Sequence, residues 1–254
     1  MVHGPVHRRT GSDRGPLSAV AMLTALGWGA LAASSVMIGA VLGCLRSWPT
    51  RPLGLLLGFG AGALLSAISF ELFAEGFKEG GADAVSGGLA AGALVYFVLN
   101  RRLTGRGDGG SSGGSSLALG AFLDGIPEQL ALGLGLATGS GVSVGLLVAV
   151  FVSNLPESIG SASESLDSGT KRGPILRLWA GVASVSTLAT VAGYALLEGA
   201  SGNVVGAIQG FAAGALIVML VDTMIPDATR RAGGPTGLLT TLGFAVAALI
   251  SFTS

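Results

Sequence analysis

Apolar residues fall into eight stretches of about 20, separated by short turn-rich or charged segments. The stretches run over 19–44, 52–76, 83–100, 116–138, 142–163, 175–197, 203–225 and 235–253. At 1.5 Å per residue, a helix of about 20 residues crosses ~30 Å of hydrocarbon, so the pattern predicts eight membrane-spanning helices. The separators include Ser47-Trp48-Pro49-Thr50-Arg51 and Lys78-Glu79-Gly80-Gly81, and the longest is a Gly/Ser linker from Arg101 to Ser116. Such segments favour turns or flexible coil. The resulting plan has an N-terminal tail (1–18), a three-helix unit (19–100), a Gly/Ser-rich loop (101–115), a central helix pair (116–163), and a loop with a second three-helix unit (164–254).

Two internal likenesses refine this plan. Gly58–Gly76 (GFGAGALLSAISFELFAEG) aligns without gaps on Gly210–Ala228 (GFAAGALIVMLVDTMIPDA), with six of nineteen positions identical. If spans alternate in direction, these two run oppositely, which predicts inverted repeats formed by spans 1–3 and 6–8 around spans 4 and 5. Shared Gly/Ala composition is the competing explanation. The second likeness joins Asp124-Gly125-Ile126-Pro127-Glu128-Gln129 to Ser153-Asn154-Leu155-Pro156-Glu157-Ser158, 29 residues apart. Both place Pro-Glu in mid-span, where an ionised carboxylate costs several kcal/mol and proline removes a backbone hydrogen bond.

Composition supports a lipid environment. Half the residues are hydrophobic and 11% are charged, against roughly 25% in soluble domains. Fourteen basic and fourteen acidic residues cancel, leaving no basic footprint for nucleic acid. Ten of the fourteen basic residues follow spans 1, 3, 5 and 7: Arg46, Arg51, Arg101, Arg102, Arg106, Lys171, Arg172, Arg177, Arg230 and Arg231. The positive-inside rule then predicts a multi-pass inner-membrane protein with both termini extracytoplasmic. A single Cys44 and two histidines in the tail exclude a Cys/His zinc motif, so any metal site is oxygen-rich.

Asp124 and Glu128 share a helical face at i, i+4, and Asn154 and Glu157 share another at i, i+3. Three carboxylates brought to one depth need a cation or protons. Proline also frees carbonyls: Pro127 that of Leu123, Pro156 that of Val152. A proton-sharing cluster that only locks the bundle stays open as an alternative. Ser161 and Glu164 continue the Glu157 face, and Ser66 and Ser69 sit in span 2. Glu71, Glu75, Asp222 and Asp227 lie near span ends, where snorkelling competes with a role as entrance or exit ligands. Gly54, Gly58 and Gly62, and Gly88 with Gly92, have the spacing of close-packing faces.

The chain resembles the ZIP (Zrt/Irt-like) metal transporters. That family's span 4 reads His-Asn-x-Pro-Glu-Gly where Asp124–Gln129 stands here, and its span 5 often reads Gln-Asn-x-Pro-Glu-Gly, matched at Asn154, Pro156 and Glu157. Met224-Ile225-Pro226-Asp227-Ala228 is similar to the family's Met-Ile-Pro-Glu-Ala. The resemblance implies a transporter, not an enzyme, with an all-α eight-span fold that moves divalent metal into the cytoplasm. It implies a site of Asp124, Glu128, Asn154 and Glu157, with Ser153 in the place of the family's Gln. Asp124 for His shifts the donors from borderline toward hard, so Mn²⁺ or Fe²⁺ competes with Zn²⁺ as cargo; Cd²⁺ is a further candidate cargo. No tightly bound cofactor is expected. The expected partners are metal ions, the bilayer and, as one option, a second copy in a homodimer. A proton-coupled solute carrier and a non-transporting metal sensor are the rival readings.

Overall fold

The computed structural model describes residues 19–104, 113–138 and 141–253, with the side chains of 103–124 left out. The tail of residues 1–18 and the centre of the Gly/Ser linker lie outside the described residues. Every regular element among the described residues is helical. They are α1 (Ala19–Leu45), α2 (Thr50–Ala67), a π-helical turn π1 (Ile68–Ala74), α3 (Glu75–Thr104), α4 (Gly113–Ala137), α5 (Val144–Asp167), α6 (Arg172–Leu197), α7 (Gly202–Met219), a second π-turn π2 (Leu220–Met224), α8 (Ile225–Ala232) and α9 (Thr236–Thr253).

Six continuous helical stretches among the described residues are long and apolar enough to cross a membrane. One of them, Thr50–Arg102, is 53 residues long, about twice a single crossing. It breaks at Gly81, whose φ of 76° and ψ of 176° lie in a region essentially restricted to glycine. Packing against α7 reverses there. Gly76 lies against Gln209 and Gly80 against Gly202, so the chain before the break runs antiparallel to α7. Beyond it, Gly88 lies against Ala207 and Gly92 against Phe211, a parallel register. Gly81 is thus the tip of a helical hairpin.

Where the hydrophobic surface goes follows from the solvent. Leu23, Leu94, Leu188, Leu196, Leu238, Leu249 and Phe252 point outward, each at least 60% exposed, as a lipid-facing surface requires. The interior is built from small side chains that let backbones touch. Gly54, Gly58 and Gly62 of α2 meet Arg231, Thr236 and Thr240 in turn, and Gly88 and Gly92 press on α7 carbonyls. Without a hydrophobic drive between helices in lipid, this contact supplies the association.

Two groups of helices result. α1, α4, α5 and α6 pack on one another through α1·α6, α1·α5 and α4·α6, while α2 pairs with α9 and α3 with α7. Contacts of α2 with α5 join the groups. The two π-turns begin at Ile68 and Leu220, positions that the gapless alignment of Gly58–Gly76 on Gly210–Ala228 pairs.

Helix ends differ from the sequence expectation in three places. α3 continues to Thr104 and α4 begins at Gly113, so the expected loop 101–115 is helical at both ends. The seventh span extends past residue 225 as α8, so Arg230 and Arg231 stand in a last helical turn and not in a loop. The helix runs through Pro226, which lies just beyond the π-turn Leu220–Met224.

A side chain at Gly92 would collide with the Phe211 carbonyl, whereas Gly87 faces open space. Gly92→Val is therefore expected to abolish the monodisperse detergent-solubilised protein. Gly87→Ala should leave yield and melting temperature unchanged, as size-exclusion chromatography and a thermal melt would report.

Candidate metal centre

Glu128 stands one residue after Pro127 in α4 and is fully buried. Burying an ionised carboxylate without partners is prohibitive, and the facing helix answers it. Asn154 of α5, 8% exposed, donates from Nδ2 to Glu128 Oε2 at 3.1 Å. Glu157 lies one turn further along α5, half-buried, and with Asn154 lines a cavity of about 10 Å³. That is roughly the room one water needs. Ala33 and Val36 of α1, Gly125 and Gln129 of α4, and Trp179, Val182 and Ser186 of α6 complete its wall.

Both proline-bearing helices continue through the proline. A methyl on Gly60 of α2 would stand 3.1 Å from the Val152 oxygen and 2.8 Å from Ser153 Cα. The carbonyl that Pro156 deprives of its helical donor thus faces a glycine.

Of the sequence-derived site residues, the structure joins Asn154 to Glu128 by a hydrogen bond and sets Asn154 and Glu157 on one small cavity, whose wall carries Gln129, the sequence neighbour of Glu128. Ser153 is buried, and its hydroxyl donates to the Val150 carbonyl at 3.0 Å. Asp124 falls in α4, one helical turn before Glu128; its side chain lies outside the described residues. Among the described residues no three His, Cys, Asp or Glu side chains form a metal-sized group. Gln129, buried beside Glu128, accepts a hydrogen bond from the Thr190 hydroxyl and ties α4 to α6.

The other polar residues of the spans divide cleanly. Ser69 bonds back to the Leu65 carbonyl at 2.8 Å, whereas Ser66 is fully buried with a hydroxyl that has no hydrogen-bond partner. Glu71 and Glu75, expected near a span end, line with Glu79 a second cavity of about 350 Å³. Its floor holds Leu72, Leu132 and Leu146, each at most 3% exposed, and Leu132 is one turn from Glu128. The buried Gln209 Oε1 and Ser251 Oγ, both without hydrogen-bond partners, belong to residues of its wall. Asp222 is exposed, and Asp227 pairs with Arg230 and Arg231. Sequence reasoning missed Glu79 and Gln209. The i, i+4, i+8 spacing of Glu71, Glu75 and Glu79 could have flagged the first; nothing flagged Gln209.

No family model matches the chain. A curated relative from Arabidopsis thaliana, named "Putative zinc transporter", is 28% identical over 232 residues. The alignment covers 87% of this chain and 37% of that relative, so the chain spans well under half of the relative's length.

The Asn154–Glu128 bond yields a stability expectation. Asn154→Leu strips a donor from a buried carboxylate and should lower unfolding stability by about 1–3 kcal/mol. Asn154→Leu combined with Glu128→Leu should recover most of that loss, because removing both partners leaves no unsatisfied charge. Unfolding midpoints in detergent read both; an equal or larger loss in the double variant would contradict the pairing.

Proposed function

We infer that the protein carries divalent transition-metal ions across a membrane, toward the cytoplasm, through the α4–α5 carboxylate pair. One observation supports this most: a fully buried Glu128 held by Asn154, with Glu157 a turn away, each glutamate following a mid-span proline. A duplicated intramembrane carboxylate is costly and is seldom retained for packing alone. The relative's name points to the same cargo class.

Taking the hairpin at Gly81 as two crossings and α4 as one, the chain has eight spans. The paired π-turns and the parallel pairings of α2 with α9 and of the later α3 with α7 support inverted halves related through the α4–α5 pair. Their pseudo-symmetry would place the site at mid-depth. The basic helix ends carrying Arg46, Arg51, Arg172 and Arg231 face the cytoplasm in this reading. The acid-lined cavity of Glu71, Glu75 and Glu79 then opens on the opposite side and concentrates cations above the Leu72, Leu132 and Leu146 floor.

At the site a metal ion exchanges water for carboxylate and amide oxygens. Asp124 stands one turn from Glu128 in position to supply a third carboxylate. With no imidazole, the donors are hard, which admits Mn²⁺ and Fe²⁺ beside Zn²⁺.

In proteoliposomes, Zn²⁺ uptake should fall at least tenfold in Glu157→Ala and in Asp124→Ala, with both proteins still monodisperse. Mn²⁺, Fe²⁺ and Cd²⁺ should compete with Zn²⁺ in the parent. Unchanged flux in both variants would remove the site assignment, and metal-insensitive proton flux would favour the solute-carrier reading.

A further inference from the structure

We propose that Arg231 is the gate on the basic-end side of the carboxylate site, a tethered cation that closes the exit route and must leave Glu164 before an ion passes. The proposal rests on the transport reading above.

The route is defined by α5. Glu157, Gly160, Ser161 and Glu164 fall at i, i+3, i+4 and i+7 and share one side of the helix. The opposite side is covered by α1, whose Gly39 and Gly43 press on Leu155, Ile159 and Ala162. The hydroxyls of Ser158 and Ser165 bond back to carbonyls of α5, which leaves the Gly160–Glu164 strip, ending in the Glu164 carboxylate, as the route for an ion leaving Glu157 toward the basic end.

Arg231 lies across that strip. A methyl on Gly160 would stand 3.6 Å from both terminal guanidinium nitrogens. On the other flank, a methyl on Gly54 of α2 would come within 2.5 Å of Arg231 Cβ. Glycines on two helices thus provide the slot through which an arginine reaches from α8 to α5. Its Nη2 donates to Glu164 Oε1 at 2.5 Å and its Nε to Asp227 Oδ2 at 2.8 Å.

The two bonds differ in a way suited to switching. Asp227 is on the same helix at i−4, and its side chain is 25% exposed. Glu164 is on the other group of helices, and its side chain is 54% exposed. A relative shift of α5 against α8 breaks the Glu164 bond and keeps the Asp227 bond, so Arg231 withdraws with α8. In the closed arrangement a fixed positive charge at the exit repels a divalent ion and fills its path. In the open one Glu164 is released as an oxygen ligand for the departing ion.

The test reads access, not transport. Cys44, the lone and buried cysteine, is replaced by Ala, and Ser161→Cys, buried at 8% exposure, provides the reporter. Its reaction rate with a small cationic methanethiosulfonate is measured in detergent. Arg231→Gln and Glu164→Gln should each raise the rate at least tenfold. The charge swap Glu164→Arg with Arg231→Glu should restore protection to within threefold of the parent. A control reporter, Ser35→Cys, fully buried on α1 and lining neither cavity, should change less than twofold. Rates at Ser161→Cys within twofold of the parent in both single variants would overturn the gate, as would an equal rise at the control position. If Arg231→Gln fails to fold, Glu164→Gln alone decides on the same criteria. The readout needs no metal, so a rise in access without Zn²⁺ uptake by the parent would keep the gate and overturn the metal reading. Uptake without a rise would do the reverse.

Discussion

Glu128 is a carboxylate with no exposed surface in a bundle whose outer face is apolar, and the surrounding structure is organised by the need to accommodate it. A donor must reach it, which fixes Asn154 opposite and brings α5 against α4 at that depth. The next polar contact outward, Gln129 with Thr190, draws α6 to the same level. These polar contacts add to the close backbone packing at glycines found throughout, at Gly39 and Gly43 of α1 against α5 as at the glycines of α2, α3, α7 and α9.

The helices fall into two groups, α1, α4, α5 and α6 on one side and α2, α3, α7 and α9 on the other. The small cavity lies within the first group. The large one lies between α3, α7 and the ends of α4 and α5, and its leucine floor comes from both groups. The Glu164–Arg231 pair spans the groups at the other end. The carboxylate site therefore sits between an acidic antechamber closed by leucines and a basic end closed by an ion pair. The π-turns fall in α2 and α7 continuations facing these regions; extra residues inserted into a helical turn often mark functional positions.

Much of this was legible in the sequence because membrane constraints are severe. Mid-span Glu128 and Glu157 stood out from scarcity alone, and Asn154 shared the Glu157 face at i, i+3, while its bond to Glu128 needed the packing of α4 on α5. The glycine stripes at 54, 58 and 62 and at 88 and 92 pack as their spacing predicts. Less legible features depended on tertiary geometry. The hairpin tip at Gly81 was bracketed but not placed, because Gly80 and Gly81 look alike until their dihedrals are known. The extension of α8 was hidden by Pro226, which reads as a stop in a sequence although the helix continues through it after the π-turn. Arg231 counted only as a topological charge, since its partner Glu164 is 67 residues away. Gln209 lay in an apolar span with no repeat partner to draw notice. Asp124 rests on sequence alone.

The central claim is that the oxygen atoms of Glu128, Asn154 and Glu157 form the seat of a transported divalent ion. Crystals of the protein grown with Zn²⁺, measured above and below the zinc absorption edge, test it most directly. An anomalous peak is expected between α4 and α5 within about 2.0–2.2 Å of Glu128 or Glu157 carboxylate oxygens. Density there that is empty, with zinc confined to the surface or to the Glu71–Glu79 cavity, would contradict it.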